Sequence, residues 1–216
     1  SSTSRGLGDV YKRQDLVNQL TTDPSNISAS ERIAVIDQEK FRWLEYYKFK
    51  FKGEWYTALT KKLVLKPTFE FGFLGAYNND RGIVPFERFF LGGDGLGTYS
   101  LDGRETIALR GYPNQSLSSQ DGGSIYNKYS LELRYPISLG QQAKVYALAF
   151  MEGGYSFNNF RDYNPFELKR SAGLGVRLFM PQFGLLGIDF GHGFDSLQGE
   201  TDKHGWETHF IIGQNF

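Results

Sequence analysis

From Phe41 onward, apolar and polar side chains alternate over stretches about as long as a membrane-crossing strand. Phe41, Trp43, Tyr47, Phe49 and Phe51 share one face; Arg42, Tyr46, Lys48, Lys50 and Lys52 share the other. A repeat of two puts successive side chains on opposite faces of an extended backbone, so each such stretch separates two different media. A turn is expected at Gly53-Glu54, then a strand from about Trp55 to Tyr77. Leu65, Phe69, Phe71 and Phe73 face one way there, and Lys66, Thr68, Glu70 and Gly72 the other. Lys61 interrupts the apolar face and is expected near a membrane boundary, where a long cationic side chain reaches water. Alternation resumes with Tyr129, Leu131, Leu133 and Tyr135 against Lys128, Ser130, Glu132 and Arg134. The next strand, about Lys144 to Tyr155, is apolar on both faces except for Glu152. Ala172 to Met180 and Phe183 to Phe194 follow, with Asp189 on the face of Gly187 and Gly191. The last strand is expected from about Gly205 to Phe216.

The connections between these strands alternate short and long. The longest, residues 78–125, carries Pro85-Phe86-Glu87-Arg88-Phe89-Phe90-Leu91-Gly92-Gly93, Leu101-Asp102-Gly103 and Leu109-Arg110-Gly111-Tyr112. Loops longer than roughly 12–15 residues are usually functional or disordered, and one so aromatic needs a surface to pack on. It is expected to fold inward, into a cavity lined by the strands.

Composition agrees with strands and turns: aromatics are 16% of the 216 residues, and there are 26 glycines. The 24 Lys+Arg balance the 24 Asp+Glu, which gives no reason to expect nucleic acid as a partner. Without cysteine, disulfides and thiolate metal sites are excluded. No apolar run of about 18 residues exists, so no transmembrane helix is expected; a membrane barrel passes that filter unseen, because its strands alternate. A soluble lipocalin-like barrel would point its apolar face inward and would not need aromatics at strand ends such as Tyr129 and Tyr135. The pattern favours the membrane barrel. About seven strands do not close such a barrel, and open edges are not tolerated in lipid. The chain is therefore expected to be part of a larger barrel, with residues 15–40 as an outer loop and residues 41–216 as its C-terminal half. Asp9-Val10-Tyr11-Lys12-Arg13-Gln14 back-translates to a string resembling the transposon end of sequencing adapters. Residues 1–14 are accordingly expected to be an artefact and are set aside from the fold.

Three blocks carry a family resemblance. They are Phe86 to Gly93 with Leu109-Arg110-Gly111-Tyr112; Tyr129 to Pro136; and Ser171 to Arg177 with Phe183 to Gly187 and Phe210-Ile211-Ile212-Gly213-Gln214-Asn215-Phe216. Together they resemble the C-terminal barrel half of the BamA/TamA superfamily of outer-membrane assembly factors, in a Bacteroidota-like version. The resemblance implies an all-β fold: about seven antiparallel strands from the C-terminal part of a roughly 16-stranded transmembrane β-barrel with a long inward-folded loop. It implies that Arg110 reaches two acidic residues on adjacent strands, at the positions of Glu132 and Glu152. Gly111 would allow a tight tip and Tyr112 would pack on the wall. Phe210, Ile212, Gly213 and Phe216 match the C-terminal signal of barrel precursors, in a strand that also forms a lateral gate. The other reading of Arg110 is a solvated loop arginine, with the glutamates merely lining a wet channel.

The resemblance implies an insertase of the bacterial outer membrane that folds other barrels without a catalytic residue, cofactor or metal. Its partners would be outer-membrane lipids, nascent β-barrel proteins, and accessory lipoproteins reached through POTRA domains. The alternatives are a two-partner-secretion or autotransporter-assembly pore of the same superfamily, and a passive channel. His192, His204 and His209 fall near chain ends and loops without metal-ligand spacing, the single Gly92–Gly97 run reads as a turn, and no Gly-x-Ser-x-Gly context supports an enzyme.

Overall fold

A computed structural model describes residues 46–77, 83–95, 105–140, 142–197 and 200–213. The chain divides into two units, and the one described below comprises Tyr46–Gly75 and Ile83–Phe216. The adapter-like residues 1–14, the outer loop at 15–40, the start of alternation at Phe41 and Trp43, Leu101-Asp102-Gly103 and Phe216 lie outside the described residues.

The strands are β1 (Tyr46–Glu54), the short β2 (Thr57–Ala58), β3 (Val64–Ala76), β4 (Phe89–Leu91), β5 (Glu105–Ile107), β6 (Ile125–Leu139), β7 (Lys144–Phe157), β8 (Lys169–Met180), β9 (Gly184–Ser196) and β10 (Lys203–Gly213). Eight of them form one sheet in the order β1-β3-β6-β7-β8-β9-β10, with β2 also paired to β3. The registered pairs of β6 to β10 are all antiparallel. Among the described residues, β1 and β10 are the sheet's edges.

One expected boundary is wrong. Glu54 is strand, not turn, and the long second strand starts at Val64 rather than Trp55. The reversal lies at residues 59–63, where the Leu59 amide donates to the Leu63 carbonyl (2.9 Å) and the Leu63 amide to Thr60 Oγ1 (3.2 Å). A hydroxyl that can accept from its own backbone offers a turn where alternation alone suggests a strand. Lys61 therefore sits in a turn. The long connection also has structure of its own: β4 and β5 pair in parallel, and a 3-10 turn covers Pro85–Glu87.

Register fixes what each face carries. Leu133, Ala149, Leu174 and Phe190 line up across β6 to β9, and Ala147, Val176, Ile188 and Phe210 across β7 to β10. Leu174 is 65% exposed, and Met151, Phe190, Phe210 and Ile212 are exposed with it. So much contiguous apolar surface is not left facing water; it is the lipid-facing band of a barrel wall. The buried cluster lies on the other face. Leu74 and Tyr126 of the wall pack there with Phe89, Leu91, Ile107, Leu109, Tyr112 and Leu117 of the long loop. The Phe89 and Tyr126 rings meet edge-on at 4.7 Å. The core is therefore made between the wall and its own inward loop.

Leu174→Arg should lower the stability of the complete protein in lipid vesicles by about 2–4 kcal/mol if the residue sits near mid-membrane. Denaturant unfolding measures it; an unchanged midpoint would argue against a lipid-facing band.

Candidate functional site

The inner face of the wall carries carboxylates on several strands, and three of them converge on one point. Alternation along β6, β7 and β9 puts Glu132, Glu152 and Asp189 on that side. Between them register places glycines: Glu132, Phe150, Gly173 and Gly191 form one row, and Arg134, Leu148, Gly175 and Asp189 the next. Those glycines leave a shallow bed, and the loop tip Leu109-Arg110-Gly111-Tyr112 lies in it. A Cβ on Gly191 would stand 2.6 Å from the Gly111 nitrogen, and one on Gly193 2.6 Å from the Gly111 oxygen. Backbone meets backbone there. Gly111 itself has φ +88°, a conformation other L-residues rarely adopt.

Arg110 is 5% exposed. Its Nη2 donates to Glu152 Oε1 at 2.6 Å and Glu132 Oε1 at 2.8 Å, and its Nη1 to Asp189 Oδ2 at 3.0 Å. Its own amide donates to Glu152 Oε2 at 2.8 Å. The guanidinium lies 3.8 Å from the centre of the Phe150 ring, a position where the ring's quadrupole attracts the cation. Burial works against the charge, but Glu152, Glu132 and Asp189 outweigh it and hold the guanidinium more firmly protonated than usual. Each carboxylate has further support. Arg177 grips Asp189 with both terminal nitrogens, Arg134 grips Glu132, and Lys128 stands 3.8 Å from Glu152.

The neighbours of Arg110 complete the attachment. Tyr112 is fully buried; its hydroxyl donates to the Arg170 carbonyl at 2.7 Å and accepts from the Asp195 amide at 3.2 Å. Burial pushes that phenol up to about 12, so it stays a donor across the physiological range. The Gly111 amide donates to His209 Nε2 at 2.7 Å. At the far end of the loop, Lys48 of β1 bonds both Glu87 and Glu105. Burial tends to raise the Glu105 carboxyl, but Lys48 and Lys50 prevail and hold it below the usual carboxylate range. With its folded value depressed, that contact contributes at neutral pH and is lost as pH falls through the folded value.

Of the residues singled out in the sequence, Leu109, Arg110, Gly111, Tyr112, Glu132 and Glu152 come together. Phe210 and Ile212 do not join them; they point outward on β10, with Gly213 at its end. Three participants escape the sequence reading. Asp189 was visible as a lone charge among glycines, but nothing local ties it to Arg110. Arg177 is its partner. His209 was placed near chain ends and loops; it lies within β10 and is buried, because alternation turns it inward. His192 is likewise on a strand, with its ring 5.1 Å from Trp206.

Antiparallel strands that are apolar outside, and an inward loop pinned to carboxylates inside, define a plugged outer-membrane barrel wall. The chain belongs to the Omp85 superfamily, whose domain matches residues 32–216. Its fold is BamA-like: BamA from Haemophilus ducreyi lacking POTRA domains 1-3 is similar in fold, with TM-score 0.54 at 18% identity over 77% of this chain and 35% of that one. The chain thus spans about a third of the length of that solved relative. No curated protein sequence matches it.

Gly191→Ala should lift the tip from its bed and speed proteolysis of the loop in the complete protein by about tenfold, equivalent to roughly 1.4 kcal/mol. Gly153→Ala is the control, since a Cβ there meets Leu168 at an ordinary 3.5 Å. Equal protection in both variants would mean that the glycine bed does not seat the tip.

Proposed function

We propose that this chain is the C-terminal barrel part of an insertase that folds β-barrel proteins into the bacterial outer membrane. The observation that carries the reading is Arg110, held by carboxylates of three strands, which fixes a long loop inside the wall. A loop pinned across several strands sets their mutual positions, and a template for incoming strands needs its wall held in register. The second requirement is an edge for pairing: among the described residues β10 has a neighbour on one side only, and a client strand would pair on its other side by β-augmentation. No covalent step is needed. Client insertion would draw on strand pairing and on burial of the client's own apolar face in lipid.

In this reading Leu109-Arg110-Gly111-Tyr112 is the plug motif, Glu132 and Glu152 are its acidic partners, and Phe210, Ile212, Gly213 and Phe216 form the terminal strand signal. Residues 78–125 are the lumen loop, 15–40 an outer loop and 1–14 an artefact. The partners are outer-membrane lipids, nascent barrels, and accessory lipoproteins docking on POTRA domains of the complete protein.

Arg110→Ala leaves three carboxylates without their shared cation, and breaking a buried pair of this kind costs about 3–5 kcal/mol. In a strain that depends on the complete protein, it should sharply lower the amount of barrel proteins in the outer membrane. Arg110→Lys should restore only part, because an ammonium lacks the planar fork. Full assembly by Arg110→Ala would reject the insertase reading. Loss of export of a single secreted client with normal barrel levels would point instead to a secretion or autotransporter-assembly pore. A large, steady single-channel conductance would point to a passive channel.

A further inference from the structure

Among the described residues, β10 is joined to the sheet by one ladder only, that with β9. The loop tip adds two ties: the Tyr112 ring stacks on His204 at 5.8 Å, and the Gly111 amide donates to His209 Nε2, a bond 2.7 Å long and buried. We propose that His209 is a positioning residue, the latch through which the docked loop tip holds the edge strand β10. The proposal rests on the insertase reading for its meaning but not for its geometry.

A buried amide must have an acceptor, and imidazole can accept at Nε2 only as the neutral tautomer that carries its proton on Nδ1. The position is tied to the ion cluster. His209 pairs in register with Asp189, which Arg110 and Arg177 both hold. The charged groups around the ring are Asp189 on β9, Glu207 on its own strand, Glu152 on β7 and Asp94 in the loop. When Arg110 is seated, the Gly111 amide is aimed at His209; when the tip leaves, β10 keeps only its ladder. Seating the loop thus restrains one of the two described edge strands, the one a client could displace or extend at this end of the sheet.

The test uses the complete protein in lipid nanodiscs and reads amide hydrogen exchange. His209→Leu keeps the bulk and removes the acceptor; exchange along β10 should quicken about five- to tenfold, the loss of one ordinary hydrogen bond. Exchange in β8 and proteolysis of the loop should stay as they were, since Arg110 remains anchored. His209→Gln places an amide oxygen near the position of Nε2 and should restore the slow exchange. Unchanged β10 exchange in His209→Leu, or a Gln variant that behaves like Leu, would overturn the latch. Nitrogen NMR of the unaltered protein gives an answer independent of any variant: a proton on Nδ1 supports the latch, and a proton on Nε2 rules it out. None of these readouts involves assembly activity, so the insertase reading can fail through Arg110→Ala while the latch stands, and the reverse.

Discussion

Everything on the inner face depends on the pairing of Arg110 with Glu132, Glu152 and Asp189. Three carboxylates facing a covered space would each be costly to keep charged without a cation, since burial of an unpaired ion is among the largest penalties a fold can incur. One guanidinium serves all three because its donors radiate in a plane. Phe150 supplies the flat support below that plane. The dependence runs both ways. Without the loop each carboxylate keeps a single wall cation, Arg134, Lys128 or Arg177, and loses the one that joins all three; without the wall the loop's aromatic residues have nothing to pack on.

That mutual need explains a packing arrangement opposite to that of a soluble barrel. Leu174, Phe190 and Phe210 face outward, where lipid solvates them, and contribute nothing to an internal core. The internal core is assembled from Leu74 and Tyr126 of the wall and from the loop. The same arrangement accounts for β7, whose inner face is apolar at Leu148 and Phe150 where a wet lumen would favour polar residues. Both are buried, and Arg110 lies over Phe150.

What could be read in the sequence follows the range of the interactions involved. Alternation is local, so the seven long strands, their faces and the inward position of Glu132 and Glu152 were legible. The hairpin at residues 59–63 was not, because Leu59, Leu63 and the lysines continue the alternation of β3 while the backbone is already reversing. Arg110 and its two glutamates were reached through family resemblance rather than spacing; 42 residues separate Arg110 from Glu152. Asp189, 79 residues away, and His209, 98 residues from Gly111, join the tip only through the register of four strand pairs. No pattern within a single strand encodes that convergence. The glycines were the nearest available signal. Gly173, Gly175, Gly191 and Gly193 look like weak strand positions, and weak positions recurring on one face of two neighbouring strands mark a surface that another backbone approaches.

The geometry of the tip shows why three consecutive residues suffice to fasten so wide a surface. Glu132, Glu152, Arg170, Asp189 and His209 lie on β6, β7, β8, β9 and β10 respectively. Five adjacent strands span roughly 19 Å at the usual spacing of about 4.8 Å. Three extended residues cover only about 10 Å, so the backbone alone cannot bridge them. Arg110 makes up the distance on both sides of β7, reaching β6, β7 and β9 with its fork while its amide stays on β7. Tyr112 reaches the β8 carbonyl of Arg170 and the β9 amide of Asp195. Gly111, between them, has no side chain to hold it off the wall, and its amide meets β10. A longer side chain at 111 would lift the tip; a shorter one at 110 or 112 would shorten its reach. The order Arg-Gly-Tyr is thus a solution to a spacing problem: two long polar arms on either side of a residue that has none.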